Sequence, residues 1–209
     1  MEQGSPEWFA ARLGKVTASR MSDVMAKGRG SAPSATRATY MGQLAAERLS
    51  GNAAASFTNA AMDWGTECEP QARIGYEFQT DFAVEQIGIV DHPSISMFSA
   101  SPDGLVGTDG LVEIKCPNSA THIQTLLGAN IDRRYHLQMQ VQMACTGRSW
   151  CDFVSFDPRM PAEMQMHIQR IDRDPDMIGE IEEQTALFLD QLDDMCRQLN
   201  EKFRPDLAA

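Results

Sequence analysis

No two of the five cysteines stand in CxxC spacing: Cys68, Cys116, Cys145, Cys151 and Cys196 are scattered and odd in number. That argues against disulfides and against an iron–sulfur cluster, and for reduced thiols in a cytosolic compartment. Long apolar runs are also missing. No stretch approaches the ~18 residues of a membrane span, and the opening Met-Glu-Gln-Gly-Ser-Pro-Glu has no basic segment followed by an apolar one, so neither secretion nor membrane insertion is expected. Positive charge is scarce. The 18 Lys and Arg against 29 Asp and Glu give a net charge of -11, the wrong sign for a protein that coats polyanions indiscriminately. Finally, His92, His122, His136 and His167 never take a close metal-ligand spacing, which favours structural or surface roles.

What is present fits one globular domain over residues 1–209: the chain is 43% hydrophobic and 22% charged, and at this length one core is enough without staples. Residues 1–50 carry 7 basic and 4 acidic side chains, the only third of the chain with a positive balance. A few cations along one groove can hold phosphates even when the remaining surface repels them.

Helices are expected from Ser5-Pro6-Glu7 to Gly14, from near Thr17 or Ser19 to Met25, over 36–49 and within 63–78, where Pro70 bends or starts the regular part. Lys27 to Ser34 reads as a mobile loop. The period then becomes extended: strands over Phe82–Val90 and Ser96–Ala100 and a hairpin from Leu105 to Cys116 around Gly107-Thr108-Asp109-Gly110. Two more helices (119–128 and 134–146), two strands (149–156 and 163–171) and a long amphipathic C-terminal helix complete the pattern. Its stripe is expected to pack on the sheet. The class is α/β (α+β), a central mixed β-sheet flanked by helices.

The hairpin carries the chemistry. Side chains two apart on a strand share a face, so Glu113 and Lys115 point together, and folding about Thr108-Asp109 brings Asp103 opposite Ile114, within diagonal reach of both. Two acids set together on strands this apolar need a cation to offset them. Two carboxylates with the Ile114 carbonyl between them suit Mg²⁺ or Mn²⁺, and a lysine beside them can orient water or relay its proton. This is the chemistry of phosphodiester hydrolysis. The bland alternative is a surface hairpin with a solvated Glu113–Lys115 pair.

Several further motifs recur in one order: Trp8, Arg12-Leu13-Gly14-Lys15-Val16-Thr17-Ala18-Ser19, Trp64-Gly65-Thr66-Glu67-Cys68-Glu69, Ser101–Gly104, Glu113–Pro117, Tyr135–Gln142 and Asp157-Pro158-Arg159-Met160. In this the chain resembles the PD-(D/E)XK nucleases, and within them the phage lambda-type exonucleases, also called YqaJ-like viral recombinases. The resemblance implies a PD-(D/E)XK core in which Asp103, Glu113 and the Ile114 carbonyl hold one metal ion, Asp103 and Glu69 a second, and Lys115 assists the attacking water. It implies two Mg²⁺ ions per site, with Mn²⁺ as a substitute. Tyr135 matches an active-site tyrosine, and Arg12, Ser19, Gln138 and, more loosely, Arg29 match a pocket for the 5′-phosphate of the cut strand.

The activity implied is 5′-to-3′ digestion of one strand of linear double-stranded DNA to mononucleotides, leaving a 3′ overhang. The implied partners are two further copies in a trimeric ring and a single-strand annealing protein, with no membrane. The setting implied is the cytoplasm of a bacterial host, for a phage- or prophage-encoded enzyme. Rival readings are an endonuclease of the same fold, which would cut closed circles, and a DNA-end-binding module with an inactive metal site.

Overall fold

Ser5 accepts a hydrogen bond from the Trp8 amide and Pro6 occupies the first turn, which together start α1 (Pro6–Arg12). The computed structural model describes residues 1–28, 34–53 and 60–204. Where a helix was expected from near Thr17 or Ser19, the chain forms β1 (Val16–Thr17), then a 3₁₀ turn (Ala18–Arg20) and the short α2 (Met21–Val24). The β-branched pair Val16-Thr17 favours the strand. Helix α3 (Ala35–Ser50) is capped by Ser34 at one end and by left-handed Gly51 at the other.

Helix α4 (Ala60–Thr80) continues through Pro70, so the regular part does not begin there. The ring removes one backbone donor, and burial of Cys68, Ala72 and Tyr76 on the helix face holds the segment helical nonetheless.

The extended stretch expected over 82–90 divides into β2 (Val84–Glu85) and β3 (Val90–Asp91), which belong to different sheets. Then come β4 (Phe98–Ala100), β5 (Gly104–Val106), β6 (Gly110–Lys115), α5 (Ser119–Leu126), α6 (Arg133–Thr146), β7 (Trp150–Phe156), β8 (Met166–Asp172) and α7 (Pro175–Phe203). Strands β1, β4 and β3 make a small three-stranded sheet. The central sheet has the order β2-β5-β6-β7-β8 and is mixed: β6 and β7 run parallel, and the other pairs are antiparallel.

Both faces of the central sheet are covered. Val112 and Ile114 pack with Val154 and Phe156 against Cys68, Ala72 and Tyr76 of α4. Leu111 and Phe153 pack against Met139 and Met143 of α6. A third cluster joins α2, α3, α6 and α7 over the small sheet, through Met21, Tyr40, Leu44, Leu137, Val141, Ile181, Phe188 and Leu192. The apolar stripe of α7 therefore packs on this helical layer and not on the central sheet as expected.

The hairpin register also differs from expectation by one residue. Val106 pairs with Gly110 and Gly104 with Val112, so Gly107, Thr108 and Asp109 form the turn and Asp103 runs on toward Glu113 instead of Ile114. At Gly104 a Cβ would come within 2.1 Å of Val84, which fixes glycine next to Asp103 where β2 crosses.

Candidate active site

Alternation along β6 sends Glu113 and Lys115 to the face that α6 covers. Glu113 is fully buried, which excludes the solvated surface hairpin. Gln138 and Gln142, four apart on α6, donate side-chain N–H groups to Glu113 Oε1 at 2.6 Å and Oε2 at 2.5 Å. Lys115 Nζ forms an ion pair with the same Oε1. Asp103 sits just before β5, and its Oδ2 accepts the Ile114 backbone N–H at 2.7 Å. Sequence reasoning missed Gln142. Its spacing from Gln138 and a run of glutamines in an otherwise apolar segment were the available signal.

The electrostatics are unbalanced toward negative charge. Burial, then repulsion from Glu113 and Glu69, pushes the Asp103 carboxyl well above its ordinary range, against the pull of Lys115 and the Ile114 amide. Burial also raises Glu69, with Glu113 adding to the shift and Arg73 opposing it. For Lys115, burial works against the charged form, but the carboxylates of Glu113 and Asp103 outweigh it and hold the ammonium above its usual range.

The chemistry of this donor set, two neighbouring carboxylates with surplus negative charge, fits a hard divalent cation. Glu69 is turned to Arg73 at 3.6 Å. Among the described residues no three His, Cys, Asp or Glu side chains gather into an ion-holding group, so Glu69 does not close a three-carboxylate cage.

Tyr135 borders the cluster: Lys115 Nζ lies 5.2 Å from its ring centroid, and its hydroxyl accepts from Arg134 at 3.0 Å. Arg12, at the end of α1, is tied to the segment that leads into Asp103. Its guanidinium donates to Ser101 Oγ at 3.2 Å, two residues before Asp103, and lies 4.1 Å from the Trp8 ring centroid. Burial lowers the Arg12 pKa, with Tyr40 and Glu47 opposing.

Gln138 thus meets the Glu113 carboxylate, whereas the resemblance put it with the phosphate pocket. Ser19 is exposed on the Ala18–Arg20 turn. That turn is too short for the helix-dipole argument behind its choice. Arg29 lies outside the described residues. His122 is buried between Ser155 Oγ and the Met164 carbonyl, and His92 between Glu182 and the Ser94 and Ile95 amides, both structural placements. Cys68, Cys116, Cys145, Cys151 and Cys196 are all free thiols.

The YqaJ-like viral recombinase domain matches residues 7–149. The chain belongs to that family. It is also 51% identical, with a TM-score of 0.88, to LHK-Exo, an alkaline exonuclease from Laribacter hongkongensis, over 95% of this chain and 97% of that one. The complex of LHK-Exo with dAMP gives the same identity and coverage and a TM-score of 0.89. A phage-related exonuclease from Haemophilus somnus 129PT is 17% identical with a TM-score of 0.69, over 88% of this chain and 96% of that one, a likeness of fold alone. No curated protein sequence matches. The mixed α/β fold, with its central mixed sheet, is that of exonucleases of the PD-(D/E)XK type; in this chain Asp103 directly precedes β5, and Glu113 and Lys115 lie on the neighbouring β6. No helix among the described residues is long and apolar enough to cross a membrane.

Proposed function

We propose that this protein is a Mg²⁺-dependent exonuclease that digests one strand of linear double-stranded DNA from its 5′ end, releases mononucleotides and leaves a 3′ single strand. The observation that carries the reading is the buried Glu113 carboxylate, held by Lys115, Gln138 and Gln142 beside an Asp103 bonded to the same strand. A surface ion pair needs no such enclosure. Membership of a family whose 51% identical relative is an exonuclease, and the dAMP bound to that relative, support exonucleolytic release of a 5′-mononucleotide.

Asp103, Glu113 and the Ile114 carbonyl would hold one Mg²⁺ or Mn²⁺, with Asp103 and Glu69 serving a second, and the ions would supply Lewis-acid polarisation of the scissile phosphate. Lys115, kept charged by its two carboxylate neighbours, orients the attacking water as its oxygen bonds to phosphorus. Tyr135, beside that ammonium, lines the same space. The bond that breaks joins phosphorus to the 3′ oxygen, which leaves with a proton. Arg12 grips the terminal 5′-phosphate, and its link to Ser101 ties that grip to the segment that carries Asp103. A ring of three copies around the duplex would suit a chain of net charge -11 whose basic residues gather in 1–50. A single-strand annealing protein would then receive the exposed 3′ strand.

The test compares linear 5′-phosphate duplex, linear 5′-hydroxyl duplex and closed circles, each with Mg²⁺ or chelator. The expected result is fast metal-dependent loss of the first, slower loss of the second and intact circles. Cut circles would establish the endonuclease instead. Bound but undigested ends would establish the end-binding module. Lys115→Ala should abolish turnover and keep DNA binding, and full retained activity would remove Lys115 from the mechanism.

A further inference from the structure

Helix α1 is seven residues long and fully buries none of its side chains, yet it carries Trp8 and Phe9 in succession. An isolated exposed aromatic is ordinary. Here the surroundings are specific. Trp8 donates its indole N–H to Ser101 Oγ at 3.0 Å, and Arg12 donates to the same oxygen at 3.2 Å. The Arg12 guanidinium lies over the Trp8 ring, and Phe9 meets that ring edge-on with centroids 5.0 Å apart and planes at 76°. Phe9 itself remains 48% exposed. Phe9, Trp8 and Arg12 thus form one braced row, tied through Ser101 to the segment that carries Asp103. Its outer member is a flat apolar ring and its inner member a cation.

We propose that Phe9, held edge-on by Trp8, is a stacking platform for the nucleobase of the terminal nucleotide whose phosphate Arg12 binds. The proposal deepens, and rests on, the exonuclease reading. Every base offers a π-face, so an aromatic platform accepts any terminal nucleotide, as an enzyme that removes them in sequence requires. The link to Ser101 matters for the same reason. An unbraced ring would have to be ordered on each binding event, whereas Trp8 is already fixed by its hydrogen bond and by Arg12.

The experiment uses the full-length protein and 5′-phosphorylated linear duplex bearing 5-iodouracil at the 5′-terminal base or at an interior position. With chelator present to prevent digestion, irradiation should crosslink the terminal probe to Phe9 in the wild type and leave the interior probe uncoupled from it. Phe9→Ala should lose the crosslink and raise KM for unmodified duplex about tenfold, with kcat falling by less. Phe9→Tyr should restore KM. Thermal midpoints and solution mass of each variant check folding and assembly. Wild-type protein that binds and digests duplex but crosslinks elsewhere, or an unchanged KM in Phe9→Ala, overturns the platform alone. A changed solution mass with KM unaltered assigns Phe9 to contact between copies and also overturns it. Failure of the wild type to bind or digest linear duplex removes the exonuclease reading and this proposal with it.

Discussion

Replacing Gln142 with leucine tests the most unusual feature of the site, a fully buried carboxylate. Gln142 is itself fully buried, and among the described residues it is the donor to Glu113 Oε2, while Gln138 and Lys115 serve Oε1. Its own carbonyl oxygen faces the Cys151 thiol at 4.0 Å, which sets the amide so that its N–H points at the acid. Leucine nearly matches the volume, so the cavity contribution is small. What is lost is a hydrogen bond to a charged group, worth about 1.5–3 kcal/mol. At roughly 2–4 °C per kcal/mol for a chain of this size, a loss near 2 kcal/mol should lower Tm by about 4–8 °C. Urea unfolding at pH 8 with chelator, followed by tryptophan fluorescence, measures it. A double-mutant cycle separates this bond from general repacking: in a Glu113→Gln background the cost of Gln142→Leu should shrink to about 1 kcal/mol, the value for a neutral pair. A Gln142→Leu protein within about 0.5 kcal/mol of wild type, or an equal loss in both backgrounds, would refute the claim that Gln142 supports a buried charge.

Asp103→Asn keeps an acceptor for the Ile114 amide but removes a carboxylate whose pKa the fold raises; a raised acid costs stability as pH climbs from its unfolded value through its folded one, so with chelator at pH 8 the asparagine variant should unfold at higher urea than wild type while losing nuclease activity. Asp157 behaves oppositely: burial opposes its charge, but bonds from Arg159 and Ser119 bring it from 3.8 down to about 2, so its contribution is complete above about pH 4 and lost as pH falls toward 2, and Arg159→Ala should flatten the acid limb of a stability–pH curve. An unaltered limb would show that other groups govern acid unfolding. Ser101→Ala removes the shared acceptor of Trp8 and Arg12, and should weaken discrimination between 5′-phosphate and 5′-hydroxyl ends more than it slows hydrolysis of either; an unchanged preference, measured as a ratio of kcat/KM values, would detach Ser101 from the phosphate grip.

The hairpin was legible because a period of two and a glycine-bounded turn fix which side chains share a face. Its exact register was not. A three-residue turn in place of a two-residue one moves Asp103 by one position, and Gly107-Thr108-Asp109-Gly110 is compatible with either. Phe82–Val90 read as one strand because local alternation carries no information about which sheet a segment joins, and β2 and β3 answer to different partners. The α7 stripe revealed an apolar face and not its target. Pro70 was compatible with a helix start or a bend, and burial of Cys68 and Tyr76 on either side of it keeps one helix continuous from Ala60 to Thr80, which removes the start.

The glutamines show most clearly why site residues can hide. Glu113 and Lys115 stand out in a sequence because their charges are costly inside an apolar strand and demand an explanation. Gln142 is neutral and reads as an ordinary helix residue, and Gln138 stood out only through its match to a phosphate pocket, yet the two make that cost bearable by donating to both oxygens of one carboxylate. Their amides compensate Glu113, whereas Lys115 is shared among the three acids. Asp103 and Glu69 are left with raised carboxyls and only Lys115, Arg73 and a backbone amide to offset them. A fold selected for stability would neutralise the second acid as it does the first. Keeping one carboxylate fully bonded and its neighbours incompletely compensated leaves a rigid wall facing a deficit of positive charge, and that deficit is what a divalent cation would fill.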